Sequence, residues 1–323
     1  RVEDENKPLL LGYRIPEIAV AFIAVFIFIQ VGSQWGYVLP RRSMKVFAII
    51  LTGGAIAFST LVFQTITHNR ILTPSIIGLD SLYLLIQTVI IFAFGSTNLS
   101  IVNRHVNFVI SVGLMVLFAG VLYKVLFKRE GQNIYFLLLV GIILGTLFQN
   151  LSTFMQVLID PNEFQTVQDR MFASFNNIHT DLVLIATISI ILTIVYFARF
   201  TRYLDVLSLG REQAINLGVN YDYVVKRLLI VVAILISIST ALVGPITFLG
   251  LLVVNVTYEF LKTYRHSYLI AGSVLVSIVA LVGGQLIVER VFTFSTTLSV
   301  IVNFVGGIYF IYLLLKENKS WST

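Results

Sequence analysis

Long apolar runs separated by short polar joints fill this chain from end to end. Residues 182–194, for example, are largely apolar at consecutive positions, which suits a helix surrounded by hydrocarbon and excludes the every-second-residue pattern of a membrane β-barrel. Each run approaches the roughly 20 residues that a helix needs to cross a hydrocarbon core about 30 Å thick. The pattern predicts about ten spans, near residues 17–38, 44–64, 75–95, 105–127, 134–158, 179–200, 224–243, 245–263, 267–289 and 297–315. The predicted fold class is all-α, a polytopic membrane bundle of about ten transmembrane helices.

Composition agrees, because 57% hydrophobic residues, 12% charged residues and a mean hydropathy of +0.92 exclude a soluble globular domain. An even number of spans puts both termini on one side. Assigning that side to the cytoplasm places 16 of the 22 Lys and Arg inside and six outside, as the positive-inside bias requires. Residues 1–16 then read as a cytoplasmic tail without the flanks of a signal peptide, and residues 17–315 as one transmembrane domain. Residues 201–223 form a cytoplasmic loop within that domain, and 316–323 a second cytoplasmic tail. Arg41, Arg42, Lys45 and Arg290 stand out on the outer face, as if held for a partner. The net charge of +6 follows from this topology, so no nucleic-acid partner is expected. With no Cys, there is no disulfide or thiol chemistry.

Catalytic constellations are scarce. His68, His105, His179 and His266 show no HExxH or paired spacing, which predicts no metal site and suits interfacial positions at helix ends. There is no GxxxxGK[ST] loop, so ATP hydrolysis would belong to another chain. Ion-coupled transporters keep ionisable groups deep in their helices despite a cost of about 2.5–3.5 kcal/mol each. The span centres here nearly lack them. Asp80 is the main exception, placed after Pro74 and Gly78 at the start of a span, where the helix dipole stabilises a carboxylate. An ion-binding role for Asp80 is the alternative.

The inner segment 201–223, TRYLDVLSLGREQAINLGVNYDY, is too polar to enter the membrane. Gly210 interrupts it, and Gly218 sits where a helix-terminating glycine belongs, predicting two short helices at an angle. Small residues at Gly210, Ala214 and Gly218 would let another protein's surface approach, with a plain interfacial helix as the alternative.

Leu209, Gly210, Ala214, Leu217 and Gly218 have the spacing LGxxxAxxLG. This resembles the coupling segment of FecCD-type permease subunits of ABC importers for iron siderophores, haem and cobalamin. Further stretches agree in order. Residues 39–81 are similar to the family's RLPR segment, small-residue second span and NPLAxPxxLG turn, and GPITFLGLLV at 244–253 is similar to GPIxFxGLxxPH. VERVF at 288–292 and the tail 304–315 are similar to the last two spans. Val254 and Asn255 depart from the family's Pro-His, and Asn69 is followed by Arg70 instead of Pro. TPSIIGLDSLY, IDPNEFQTVQDRMFASFN and ALVGGQLIVER are most similar to permeases for ferric catecholate, petrobactin or anguibactin type siderophores.

The resemblance implies a permease subunit of the large, type II class of ATP-driven importers, moving a ferric siderophore across the bacterial cytoplasmic membrane. The alternatives are haem or cobalamin import by the same class, and an ion-coupled secondary transporter. It implies no catalytic residue and no cofactor on this chain, with ATP and Mg used by two partner ATP-binding subunits. The other implied partners are a second homologous permease, a heterodimer in preference to a homodimer, and an extracytoplasmic siderophore-binding protein. ATPase coupling falls on Leu209, Gly210, Arg211, Ala214, Leu217 and Gly218. Docking of the binding protein falls on Arg41, Arg42 and Arg290, whose planar forks suit carboxylates. Membrane anchoring is the alternative there, with Glu289 placed to pair with Arg290. A cytoplasmic gate falls on Asn69 and Ile71, or these residues simply link two helices. Gly53, Gly54, Gly141 and Gly145 are read as close helix packing. Residues 159–177, with Asp160, Pro161, Glu163, Asp169 and Arg170, read as a polar loop at the outer mouth. Because the iron arrives fully wrapped, the pathway lining is expected to be Ser, Thr, Asn and apolar groups.

Overall fold

The computed structural model describes residues 2–29, 35–95, 104–126, 134–176 and 178–321. Regular structure among them is helical: α1 (Val2–Phe28), α2 (Trp35–Thr67), α3 (Leu79–Phe94), α4 (Arg104–Leu126), α5 (Ile134–Leu158), α6 (Pro161–Met171) and α7 (Thr180–Phe197) come first. They are followed by α8 (Thr201–Leu207), α9 (Arg211–Asn216), α10 (Tyr221–Val243), α11 (Leu249–Leu261), α12 (His266–Arg290) and α13 (Leu298–Trp321). A 3-10 turn, Pro74–Ile77, precedes α3.

Seven of these helices are long and apolar enough to cross a membrane, namely α2, α4, α5, α7, α10, α12 and α13. Adding the shorter apolar helices α3 and α11, and α1, gives the ten segments expected from the sequence. The boundaries differ in two places. The first span ends at Phe28 instead of near 38, and α2 begins at Trp35 with Pro40 inside its second turn, where a missing N–H forfeits a single backbone bond. The helix of the first span also runs back to Val2, through residues read as a tail.

The segments at 75–95 and 245–263 are not unbroken spans. Before α3 the chain makes the 3-10 turn and passes Gly78 at φ +88°. Before α11 it runs irregularly through 244–248, so that α11 has only 13 residues, about 20 Å of helix. Non-helical backbone at membrane depth survives only when protein covers it, and Pro74, Ile77, Gly78, Gly244, Pro245 and Ile246 are all buried.

The centre of the bundle is α2, packed against α10, α11 and α12. Buried Thr52 and Thr65 return their hydroxyls to their own helix, Thr52 to the Ala48 carbonyl at 2.7 Å and Thr65 to Leu61 at 2.9 Å, which meets their donors inside the core, while the buried Ser59 hydroxyl of the same helix has no partner among the described residues. Gly53 lets α2 approach Ser277 and Leu281 of α12, and Gly54 faces Val274. Gly141 and Gly145 of α5 receive the backbone of Ile77 and Gly78. All four glycines therefore serve close packing, as expected. Outward-facing Leu184, Ile188, Ile191, Leu192 and Val195 of α7 are exposed, as a lipid-facing helix requires.

Candidate functional site

At one end of the bundle α8 and α9 form the angled pair expected for residues 201–223. Gly210 turns the chain between them at φ +103°. Gly218 closes α9 at φ +82°, its N–H donating to Ile215 and that of Val219 to Ala214, a paired bond pattern that satisfies the last carbonyls of the helix. Arg211 is held by Asp222 at 3.6 Å. Ala214 departs from expectation. It is fully buried within the chain, where α9 folds back on α8 and α10, so its small size serves internal packing and offers nothing to a partner. The exposed apolar face is made by Leu209, Ile215 and Leu217. Ile215 was not singled out by the sequence.

The segment of α8 and α9 is tied to the bundle by a histidine. The Asp205 carboxylate of α8 accepts from the His266 backbone N–H at 2.9 Å and lies 2.6 Å from His266 Nδ1. The opposite ring nitrogen of His266, which is almost fully buried, lies 2.9 Å from the Thr65 hydroxyl of α2. Burial would raise the Asp205 pKa, but hydrogen bonds from His266, together with the charges of His266 and Arg265, outweigh it and hold the carboxyl below its usual range. The carboxylate therefore supports the fold at neutral pH, and its contribution is lost only as pH falls through that depressed pKa. His266 is a buried link between three helices, not the interfacial residue expected.

Near the same end, α2 gives way to the turn before α3. The Asn69 carboxamide oxygen accepts from the Ile71 N–H at 2.9 Å, closing a local turn. The Arg70 carbonyl accepts from Gln64 at 2.7 Å and from Asn255 of α11 at 2.9 Å, and the Arg70 guanidinium stacks over Tyr258. Asn255, a departure from the family pattern, is thus a fastener of this turn. Asp80 sits at the start of α3, accepting from Thr240 at 3.3 Å.

The other end gathers Arg41, Arg42, Lys45 and Arg290, the cations expected on the outer face. Arg42 does not face outwards. Its guanidinium donates to the carbonyls of Phe26 (3.1 Å), Ile27 (3.1 Å) and Ile29 (2.6 Å), capping the C-terminal end of α1, where orphan carbonyls and the helix dipole favour a cation. Arg290 also reaches the Ile29 carbonyl at 3.3 Å. Glu289 pairs with Lys45 at 2.7 Å instead of with Arg290, and Gln285 and Asn176 complete that network. Arg41 is exposed, stacked on Tyr37. Arg42→Ala is accordingly expected to destabilise the detergent-solubilised chain by about 1.5–3 kcal/mol, the range for bonds to a charged donor, and so to lower its melting temperature. Unchanged melting would remove the capping role.

Beside these residues lies a cavity of about 1140 Å³, bounded by α2, α3, α4, α6, the start of α7 and the end of α10. Its wall includes Arg41, Lys45, Arg104 and Arg170, with Asp169 as the one carboxylate. The lining also includes Asn107, Ser111, Thr166, Ser174 and Asn176 and apolar residues such as Phe108 and Phe175. The segment read as a polar loop is partly helical. Asp160 caps α6 by accepting from the Asn162 N–H, and α6 carries Arg170 in its last turn.

A family model described as the FecCD transport family matches residues 9–316. The chain belongs to the FecCD transport family. Among curated proteins it is 71% identical, over 94% of its own length and 96% of the relative's, to the petrobactin import system permease protein YclO of Bacillus subtilis. It is 38% identical to the petrobactin import system permease protein FatC of Bacillus anthracis, over 87% of this chain and 79% of that one. With the ferric-anguibactin transport system permease protein FatD of Vibrio anguillarum it shares 28%, over 89% of each. A solved chain described as a metal-chelate type ABC transporter in an inward-facing conformation has the same fold, with a TM-score of 0.80 at 20% identity over 96% of this chain and 99% of that one. As a FecCD chain in which seven of the described helices are long and apolar enough to cross a membrane, this is a multi-span membrane transport subunit.

Proposed function

We propose that this chain is one permease half of an ATP-driven importer that carries ferric petrobactin, or a siderophore of closely similar chemistry, across the bacterial cytoplasmic membrane. The observation that carries this reading is the 71% identity to a petrobactin import permease along almost the whole of both chains. Two partner ATP-binding subunits supply the ATP and Mg chemistry, docking on Leu209, Gly210, Arg211, Ile215, Leu217 and Gly218 at the cytoplasmic end, and both termini lie in the cytoplasm. Asn69 and Ile71 narrow the exit in this scheme, held in place by Gln64 and Asn255.

A heterodimer is favoured by the relatives. Bacillus subtilis has two petrobactin import permeases, YclO and YclN, which are 71% and 24% identical to this chain. Bacillus anthracis likewise has FatC and FatD, at 38% and 28%. In each pair this chain resembles one member more closely, which leaves the second place for a chain of the other kind.

The test is radio-iron uptake in cells lacking this chain, with and without its restoration, across ferric petrobactin, a ferric hydroxamate, haem and labelled cobalamin. Rescue confined to the catecholate-type complex is expected; rescue by haem or cobalamin alone would overturn the substrate. At the outer end Arg41 is the exposed cation for the binding protein's acidic side chains, while Arg42 is occupied by α1. Arg41→Glu should weaken binding-protein docking about tenfold at low salt, with the difference shrinking as salt rises. Equal affinities at low salt would remove Arg41 from that surface.

A further inference from the structure

Positive charge outside works against the insertion bias that keeps Lys and Arg inside. The outer end nevertheless holds six such residues, and the structure sorts them. Arg42 and Arg290 reach the end of α1, and Lys45 is paired with Glu289. The other three, Arg41, Arg104 and Arg170, come from α2, α4 and α6 onto the wall of the 1140 Å³ cavity. Among the described residues none of these three makes an ion pair. Arg104 donates to His179 Nδ1 at 3.0 Å, which requires that nitrogen to be unprotonated, and Arg170 lies within hydrogen-bonding reach of the buried Tyr83 hydroxyl. Burial and the nearby charge of Arg104 pull the His179 pKa down, Asp181 opposes them and Arg170 adds to the lowering, so the net effect of the surrounding groups disfavours a charged imidazole here.

Ligand cavities commonly enclose about 300–1,000 Å³, so this one has room for a whole metal chelate. Arg41, Arg104 and Arg170 share this wall with a single carboxylate, Asp169, so the lining carries a surplus of positive charge that an entering anion would offset. We infer that this cavity is a binding site for the anionic ferric chelate itself, with Arg104 and Arg170 selecting for negative charge. The inference rests on the siderophore reading above. Deprotonated catecholate oxygens bring two negative charges per ring to Fe(III), so a complex with two or more such rings is an anion whose surface is rich in acceptors. Guanidinium forks donate to such oxygens without competing for the iron. Arg41, at the mouth, borders both this cavity and the docking face, so a chelate released by the binding protein meets positive charge from the start.

The test uses the complete importer with its binding protein, reconstituted in phosphatidylcholine so that anionic lipid headgroups cannot occupy the cavity. Uptake of ⁵⁵Fe-labelled ferric petrobactin is measured for the unaltered protein, Arg104→Gln, Arg170→Gln and the double variant. Each single change is expected to raise the half-saturating concentration about tenfold, with binding-protein affinity and basal ATPase unchanged and partial recovery in the Lys variants. A double variant with unaltered half-saturation would overturn the site while leaving the proposed function standing. If the unaltered importer takes up no ferric petrobactin, the proposed substrate falls, and the same variants are measured with whichever chelate it carries. A neutral substrate such as cobalamin would then overturn the site as well. Variants too unstable to purify are replaced by their Lys counterparts, whose half-saturation must then stay below that of Gln at the companion position.

Discussion

Leu217→Asp is expected to abolish ATP-driven uptake while the membrane bundle remains folded. Leu217 ends α9 with its side chain 63% exposed, beside Leu209 at 57% and Ile215 at 47%. In the proposed topology these three apolar side chains sit at the tip of a cytoplasmic loop with no hydrocarbon to face, and they would form the knob for an ATPase surface. A carboxylate placed there must be desolvated without a partner when the subunits meet. That costs several kcal/mol, enough to weaken docking by about a hundredfold or more. Little else should change, because the turn at Gly218 and the bonds to Ile215 and Ala214 are made by backbone. The measurement is ATPase activity and chelate uptake in reconstituted importer, with Leu217→Met as the conservative control. Full uptake in Leu217→Asp would move the docking surface elsewhere.

In the proposed importer the same geometry would carry a push at α9 towards the turn at 69–71. α9 packs on α8 through the buried Ala214, and α8 holds the first turn of α12 through Asp205 and His266. His266 in turn touches Thr65, in the last turn of α2 and next to Gln64, which fastens the Arg70 carbonyl. The chain of contacts is continuous from the docking knob to the turn at 69–71. Continuity makes transmission feasible, while a two-state movement of these helices is what would make it real.

Much of the fold was legible because bilayer thickness imposes one length on every span, so run length alone located the ten apolar segments. Their interruptions were harder. Pro74 and Gly78 marked a turn, but in an apolar stretch the same residues suit a kinked helix, and only the packing of α5 decides that the backbone is broken there. α6 was written in Asp160, Pro161 and Glu163, an N-cap, a first-turn proline and a first-turn acid, yet its polarity suggested a loop. The site was legible in chemistry and not in direction. Arg41 and Arg42 are neighbours on α2, about 100° apart around its axis, and sequence could not say which of them meets α1. Lys45 and Glu289, or Asp205 and His266, are separated by 244 and 61 positions, so their pairing is a product of the tertiary fold alone.

Gly78→Val is expected to remove the folded transporter from the membrane. Gly78 adopts φ +88°, a left-handed conformation in which an L side chain costs about 1–2 kcal/mol and a β-branched one more. There is also no room. A Cβ at this position would lie 2.9 Å from Gly145 Cα and 3.2 Å from the Gly141 carbonyl, and both are backbone atoms of α5 that cannot rotate away. Relief requires the 3-10 turn to withdraw from α5, which uncovers non-helical backbone inside the membrane, where every unmet N–H and C=O is penalised. Together these costs exceed about 4 kcal/mol, a large share of a membrane domain's stability. Gly120 of α4 supplies the opposite sign: a Cβ there meets nothing within 4 Å, so Gly120→Ala should be neutral or stabilising by up to about 1 kcal/mol. Membrane abundance and thermal stability in detergent, measured for both variants, decide the matter. A Gly78→Val protein as abundant and as stable as the parent would mean that α3 and α5 are not joined through this glycine contact.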